Sequence, residues 1–133
     1  MHDSALLNRC ALVIEDDPHS LIAISNLLSE LGIRYKRNTT GADVAAQALQ
    51  MQPRPDFILL DVDLPLADPF HIVAMLQNHP ELAHIPIIFI SDRATLDLLD
   101  RARSYGCAGV LTKPLPRRQL GELFRRVLEG KAI

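Results

Sequence analysis

Short apolar runs alternate with amphipathic stretches along the whole length of this 133-residue chain. The clearest run, residues 57–60, is continuously apolar and lies between Pro55 and Asp61, which is typical of a strand buried on both faces. Similar runs at 11–14 and 87–90 predict two more buried strands. A weaker strand is predicted at 33–37 and a short last one at 109–112.

Each predicted strand is followed by a stretch with helical periodicity. The first helix begins at Asp17-Pro18, an N-cap carboxylate followed by proline in the first turn, and it ends at Gly32. Its inward face repeats at spacings of three and four, which indicates one buried stripe. That stripe consists of Leu21, Ile24, Leu28 and Leu31. The other helices are predicted at residues 40–50, 69–78, 95–104 and 117–129.

Five strand–helix units without a repeat or linker predict one α/β domain. Strands that alternate with helices form a parallel sheet covered on both faces by right-handed crossovers, the doubly wound class. In such a sheet the ligand site lies beyond the carboxyl ends of the strands, where the strand order switches.

Composition and charge narrow the possible functions. A hydrophobic content of 48% supplies a genuine core, and a formal charge of −2 does not favour a nucleic-acid or membrane-surface protein. No apolar run approaches the ~20 residues of a membrane span, and Asp3 and Arg9 interrupt the N-terminal segment, so it does not resemble a signal peptide. Cys10 and Cys107 lack zinc-type spacing and are interpreted as core residues. We expect a reduced, cytoplasmic protein.

Polar side chains follow four of the predicted strands at the points where those strands end. They are Glu15, Asp16 and Asp17 after the first, Asp61 and Asp63 after the third, Ser91 and Asp92 after the fourth, and Lys113 after the fifth. Carboxylates a few ångströms apart repel by roughly 4 kcal/mol per pair at an effective dielectric of 20. A hard divalent cation would remove that cost, and Mg²⁺ prefers oxygen ligands.

This combination of residue types suits phosphoryl transfer. A carboxylate beside a metal ion, an ammonium group and a hydroxyl can attack a phosphoryl group in line. The chain has no glycine-rich phosphate loop, which favours a transferred phosphoryl group over a bound nucleotide. Taken singly, Asp17 is better explained as a helix cap, Ser91 as a possible cap and Lys113 as a solvated lysine; only their conjunction is specific.

Four segments resemble the signatures of response regulator receiver domains of two-component systems. They are residues 13–17 (VIEDD), 59–65 (LLDVDLP), 90–91 (IS) and 112–114 (TKP), in the family's order. The resemblance covers the chain from about Cys10 to its end. It implies a five-stranded flavodoxin-like sheet of order 2-1-3-4-5, with a receiver domain at residues 10–133 after an N-terminal extension at residues 1–9.

The resemblance also implies roles around a bound Mg²⁺. Asp61 would be the phosphoacceptor and a metal ligand, and Asp16 would ligate the ion directly. The backbone carbonyl of Asp63 would be a further ligand, and Glu15 would act mainly through a bound water.

Two more residues would act on the phosphoryl group itself. Ser91 would donate a hydrogen bond to it and Lys113 would pair with it, aimed by a Lys113-Pro114 peptide that is usually cis in this family. The donor would be a sensor histidine kinase or a phosphotransfer protein. The domain would catalyse only its own phosphorylation and dephosphorylation, and would switch its interaction with a downstream protein or output domain that the sequence does not identify.

Three positions depart from the family pattern. Val110 stands where receivers usually carry Tyr or Phe, which puts an aromatic switch in doubt. Asp92 replaces a small residue beside Ser91, so we expect slow phosphorylation by small donors. Asp68-Pro69 stands where Asp-Gly is common, and the proline is predicted to stiffen the loop and begin the next helix.

Two alternatives remain open from the residues. A pseudo-receiver would bind partners without phosphorylation, which Val110 and Asp92 favour and Asp61, Asp16 and Lys113 oppose. A haloacid-dehalogenase-type phosphatase also uses Asp-x-Asp and Mg²⁺, but its motif follows the first strand. The arginines of the last helix are interpreted as a solvated face, with a partner surface as the alternative. No output domain follows that helix, and the sequence leaves open whether the receiver stands alone.

Overall fold

Five strands and five helices alternate along the chain in a computed structural model that describes residues 4–133. The strands are β1 (Cys10–Ile14), β2 (Arg34–Asn38), β3 (Phe57–Asp61), β4 (Ile87–Ser91) and β5 (Gly109–Thr112). The helices are α1 (Pro18–Glu30), α2 (Val44–Gln50), α3 (Pro69–Gln77), α4 (Leu96–Ser104) and α5 (Arg117–Leu128).

The strands form one parallel sheet of order β2-β1-β3-β4-β5, so the predicted class and the order implied by the resemblance are both confirmed. β1 pairs with β2 on one side and with β3 on the other, and its Val13 lies opposite Leu59 of β3. The chain therefore reverses its direction of progress across the sheet beside β1. This switch point, at the carboxyl ends of β1 and β3, is where a doubly wound sheet opens a crevice.

Two apolar clusters hold the sheet between its helical layers. One packs α2, α3 and α4 on the sheet, and the other packs α1 and α5 on the opposite face. Phe57 and Phe124 meet in the second cluster with ring centroids 4.6 Å apart. Burying one such side chain contributes roughly 1.5–3 kcal/mol, so these contacts stabilise the central strands whose ends carry the loops of the crevice.

Two helices begin where the Asp-Pro pairs predict. The Asp17 side chain accepts a hydrogen bond from the Ser20 N–H at 3.0 Å before α1, and the Asp68 side chain accepts one from the Phe70 N–H at 2.9 Å before α3. A proline occupies the first turn of both helices because it needs no hydrogen-bond partner there. The interpretation of Asp17 as a cap is confirmed.

The predicted start of the second helix at residue 40 is wrong, because α2 begins at Val44. Asn38 holds the preceding segment as a turn: its side-chain oxygen accepts hydrogen bonds from the N–H groups of Thr40 and Gly41. Gly41 and Asp43 then adopt positive φ values of 83° and 55°, which a helix does not allow. The alanine-rich composition hid this local competition by a side chain.

The segment before β1 is joined to the core, since Leu6 is fully buried in the cluster beneath α1 and α5. Residues 1–3 of the predicted N-terminal extension lie outside the described residues, and the boundary at residue 10 stays a prediction. Within residues 4–133, no helix combines the length and apolarity needed to cross a membrane.

Candidate functional site

Three carboxylates meet at the switch point of the sheet. Glu15 and Asp16 follow β1, Asp61 ends β3, and one carboxylate oxygen from each lies within 4.8 Å of the others. Glu15 and Asp61 are buried while Asp16 is exposed, so the group is open to solvent on one side. Parallel strands place these residues together because their carboxyl ends share one edge.

Lys113 lies between the two buried acids. Its Nζ is 2.5 Å from Oε1 of Glu15 and 3.1 Å from Oδ2 of Asp61, and the Lys113–Pro114 peptide is cis, as the resemblance implies. Burial by itself lowers the pKa of Lys113, but the two carboxylates outweigh it and raise that pKa overall. The lysine therefore stays charged in the crevice.

Asp61 is held in its ionised form. Burial alone would raise its pKa, but a proton shared with Glu15, the Asp63 N–H and the ammonium of Lys113 together lower it. The Asp63 N–H donates to Oδ1 at 2.8 Å, while Lys113 donates to Oδ2. Both oxygens of the carboxylate are thus oriented by fixed donors.

The pKa of Glu15 is shifted in the opposite direction, upward. Burial is the largest cause of a rise in its pKa from 4.5 to about 7, and the neighbouring Asp61 adds to it. Its Oε2 accepts a long hydrogen bond of 3.3 Å from the Asp17 N–H, and its buried Oε1 has the ion pair with Lys113 but no well-directed hydrogen bond. Of the two buried acids, Glu15 therefore takes up a proton more readily than Asp61.

These residues fit a divalent cation. Three carboxylates facing one ammonium leave two negative charges when all are ionised, and Lys113 alone does not neutralise them. The ligand atoms are hard oxygens, and the exposed side at Asp16 has room for water, which Mg²⁺ retains when it binds to proteins.

The hydroxyl of Ser91 is directed at its own loop. Ser91 Oγ donates to the Arg93 carbonyl at 2.8 Å and accepts from the Arg93 N–H at 3.1 Å. This turn closes the segment between β4 and α4, whose first helical turn is capped by Thr95. The sequence identified Ser91 but gave no signal of its partner, because that partner is backbone.

Two further carboxylates flank the crevice. The Asp63 and Asp92 side chains are both exposed, and the pKa of Asp63 is raised first by burial and then by the charges of Asp61 and Asp92. Asp92 therefore adds negative potential at the mouth, as its position beside Ser91 led us to expect.

Val110 packs against an apolar cluster that contains aromatic residues which the sequence analysis did not single out. It lies opposite Phe89 on β4, and the ring of Phe70 packs edge-on against Phe89 at 5.2 Å. The guanidinium of Arg101 on α4 lies 3.7 Å above the Phe70 ring, and Tyr105 packs beside it. Aromatic packing at this end of the sheet thus comes from α3 and α4, which periodicity alone could not reveal.

The remaining candidates lie outside the crevice. His19 is exposed in the first turn of α1, as predicted, and both cysteines are free, with Cys10 in the core and Cys107 packed against it. On α5, Arg117 forms a two-pronged ion pair with Glu30 of α1, with both nitrogen–oxygen distances 3.0 Å. Their positions and contacts account for these residues without a role in the crevice.

Comparison with known proteins now gives the family. The profile of the response regulator receiver domain matches residues 11–125. This chain belongs to the response regulator receiver family. It is 28% identical over 107 residues, 80% of this chain and 85% of the relative, to the polar-differentiation response regulator DivK of Brucella anthropi.

Solved structures show the same fold. The receiver domain of a signal transduction histidine kinase from Syntrophus aciditrophicus superposes with a TM-score of 0.78 at 25% identity, over 92% of this chain and 91% of that one. The chemotaxis response regulator CheY4 of Vibrio cholerae gives 0.79 at 22% identity, over 90% and 98%. Receiver domains are signalling modules of two-component systems. The phosphatase alternative is therefore wrong, because it required a different fold family.

Proposed function

We propose that this receiver domain accepts a phosphoryl group on Asp61 in a Mg²⁺-dependent reaction and thereby switches its interaction with a partner. The observation that carries the proposal is the convergence of Asp61, two further carboxylates and Lys113 in one crevice at the switch point. The donor is the phosphohistidine of a sensor kinase or phosphotransfer protein, in keeping with the family. The cytoplasmic location expected from the sequence stays part of this proposal.

Asp61 is the nucleophile because its pKa is lowered and its carboxylate is oriented from both sides. A carboxylate oxygen bonds to phosphorus as the phosphorus–nitrogen bond of the phosphohistidine breaks, and the leaving imidazole takes up a proton. Water later cleaves the aspartyl phosphate and returns the free carboxylate with inorganic phosphate.

Lys113 and the acid pair prepare the crevice for this transfer. The ammonium of Lys113 neutralises charge on the phosphoryl oxygens, an effect strengthened by burial. Asp16, Asp61, the Asp63 carbonyl and, through water, Glu15 would hold Mg²⁺, which supplies charge neutralisation at the transferring group. Glu15 must lose its proton for this, since its pKa is about 7 without the ion.

The hydroxyl of Ser91 passes the phosphorylation of Asp61 on to the rest of the domain. To donate to a phosphoryl group on Asp61, that hydroxyl gives up its bond to the Arg93 carbonyl and releases the loop before α4. Val110 has no ring to move, so the signal leaves through this loop and the start of α4. Amide shifts at residues 92–96 on phosphorylation, lost in Ser91→Ala, are expected; no change there in the phosphorylated wild type would refute this route.

The acceptor is tested by incubating the protein with acetyl phosphate and Mg²⁺ and locating the adduct by intact and peptide mass spectrometry. We expect one phosphoryl group on Asp61, absent in Asp61→Asn and absent with EDTA. Asp100→Asn, which removes an exposed carboxylate of α4, is the matched control and should label like the wild type.

A pseudo-receiver is the second candidate, favoured by Val110 and by the exposed carboxylate of Asp92. Mg²⁺ binding distinguishes the two, because an interaction module does not need the ion. Neither adduct nor Mg²⁺ binding would favour the pseudo-receiver. Clear Mg²⁺ binding without an adduct would indicate that Asp92 excludes small donors, and a kinase would then serve as donor.

A further inference from the structure

A basic groove lies at the amino edge of the sheet, opposite the crevice. It has a volume of about 430 Å³ and is formed by the start of β2, the end of α2 and the turn that follows α2. We call it the β2 groove. Its residues are Cys10, Ser29, Ile33, Arg34, Tyr35, Lys36, Met51, Gln52 and Pro53.

The groove exists because α2 is short. Seven helical residues span about 10 Å, whereas the five residues of β2 span about 16 Å. The amino half of β2 therefore lies beyond Gln50, the last residue of α2. Arg34 and Lys36, which point to the same face because side chains alternate along a strand, are left exposed there.

The positive charge of the groove is not neutralised from within residues 4–133. Arg34 and Lys36 form no ion pair there, and the nearby acids are engaged elsewhere. Glu30 pairs with Arg117, and Asp56 pairs with Arg9 while accepting a hydrogen bond from the Cys10 N–H. Between residues 31 and 42 the sequence contains three cations and no acid, in a chain of net charge −2.

The spacing of the two cations selects an extended acidic segment. Residues i and i+2 of a strand lie about 6.6 Å apart, and acidic residues at i and i+2 of an extended peptide have the same separation. The floor of the groove is apolar at Met51 and at Cys10, which lies opposite Arg34, so it suits an apolar side chain at the Arg34 end of the acidic pair. Strand addition at the edge is obstructed, because the Arg37 carbonyl already accepts a hydrogen bond from Gln47 Nε2 at 3.0 Å.

We propose that the β2 groove binds an extended Glu-x-Glu-x-Leu type segment of a partner protein, through Arg34, Lys36 and the apolar floor. Docking at the amino edge leaves the Asp61 crevice free. A partner held there keeps the domain in place while a phosphoryl donor acts at the opposite edge. The binding is independent of phosphorylation.

The probe is a fluorescein-labelled peptide containing Glu-Ser-Glu-Ser-Leu, with a Gln-Ser-Gln-Ser-Leu peptide as its uncharged counterpart. Binding is followed by amide NMR titration and fluorescence anisotropy at 50 and 300 mM salt. We expect shifts at residues 34–37 and 51–52, at least about fivefold weaker binding at the higher salt, and about tenfold weaker binding of the Gln peptide.

The decisive variant is Arg34→Glu with Lys36→Glu, which takes the net charge from −2 to −6. Its matched control is Arg118→Glu with Arg126→Glu, which makes the same change on exposed positions of α5. We expect the first pair to weaken binding at least about tenfold and the second less than twofold. Labelling of Asp61 by acetyl phosphate should stay unchanged in both.

Three outcomes would overturn the proposal. Equal weakening by both double variants would mean attraction by net charge alone, and shifts confined to α5 would place the site on its arginines. Absence of binding by the wild type would also overturn it, and self-association of the groove variant in sedimentation would then show that Arg34 and Lys36 prevent strand pairing at the sheet edge. The NMR map of the wild type decides the site even if the groove variant fails to fold.

Discussion

The carboxyl ends and the amino ends of the strands differ in where their charged side chains lie. We call these two sides of the sheet its carboxyl edge and its amino edge. At the carboxyl edge, Glu15 and Asp61 are buried beside Lys113, and their pKa values move in opposite directions. At the amino edge, Arg34 and Lys36 are exposed and the acids nearby form ordinary surface pairs, such as Arg9 with Asp56. The buried strands β1 and β3 carry the acids of the carboxyl edge, whereas the polar strand β2 forms the groove at the amino edge.

The difference shows which end of the sheet contains electrostatically unfavourable groups in the folded state. Buried like charges cost several kcal/mol unless a cation compensates them. A cluster of buried ionisable groups with shifted pKa values is therefore typical of a functional site. Exposed charges cost little and contribute little to stability, so they can be arranged for recognition. The carboxyl edge is suited to chemistry, and the amino edge to docking.

The largest expected effect comes from removing the cation of the carboxyl edge. Lys113→Ala should slow labelling of Asp61 by acetyl phosphate about 10²-fold, because the phosphoryl oxygens lose a fixed positive charge. The rate of adduct formation by mass spectrometry at saturating Mg²⁺ measures it. Lys131→Ala, which removes an exposed lysine near the amino edge, should label normally. Equal rates in all three proteins would refute the role of Lys113.

The half-buried thiol of Cys107 gives a second test of the comparison, at the amino edge. Burial raises the pKa of Cys107 to about 11, so little thiolate is present at pH 8. Iodoacetamide should alkylate Cys107 at least about tenfold more slowly in the native protein than in urea at the same pH. Peptide mass spectrometry over time gives both rates. A native rate as fast as the unfolded one would show that the site is open.

The Glu15→Gln variant tests the cost of ionising the buried carboxyl group of Glu15 at the carboxyl edge. The folded-state pKa of about 7 lies above the ordinary 4.5, so the stability contributed by this group is complete below about pH 4.5 and is lost as the pH rises through 7. Without Mg²⁺, the variant should therefore gain about 1 kcal/mol in free energy of unfolding over the wild type at pH 8.

Urea unfolding in EDTA at pH 5 and pH 8 measures this gain, which should nearly vanish at pH 5. Saturating Mg²⁺ should reduce it at pH 8, since the ion compensates ionised Glu15 in the wild type. A pH-independent difference between the two proteins would contradict the raised pKa.

The smallest effect is expected from Asp92→Ala. Removing an exposed carboxylate at the mouth of the crevice should speed acetyl phosphate labelling about threefold, the size of one screened surface interaction. The gain should shrink in high salt. Asp100→Ala is the control with the same charge change on α4, and an unchanged rate in Asp92→Ala would remove the proposed repulsion.

Much of the fold follows from local sequence. The buried strands are continuous apolar runs, and Asp17-Pro18 and Asp68-Pro69 fix two helix starts, because capping and proline geometry act within a few residues. The acids that meet in the crevice were also predicted, since parallel strand ends must share an edge. Their catalytic roles remain predictions.

Tertiary structure decided what depends on contacts between distant residues. The start of α2 at Val44 follows from the side chain of Asn38, and the raised pKa of Glu15 follows from burial beside Asp61. The turn at Ser91 and the groove beyond the short α2 likewise have no local signal. Propensity and periodicity act over a few residues, whereas charge, burial and hydrogen-bond partners are set by residues that only folding brings together.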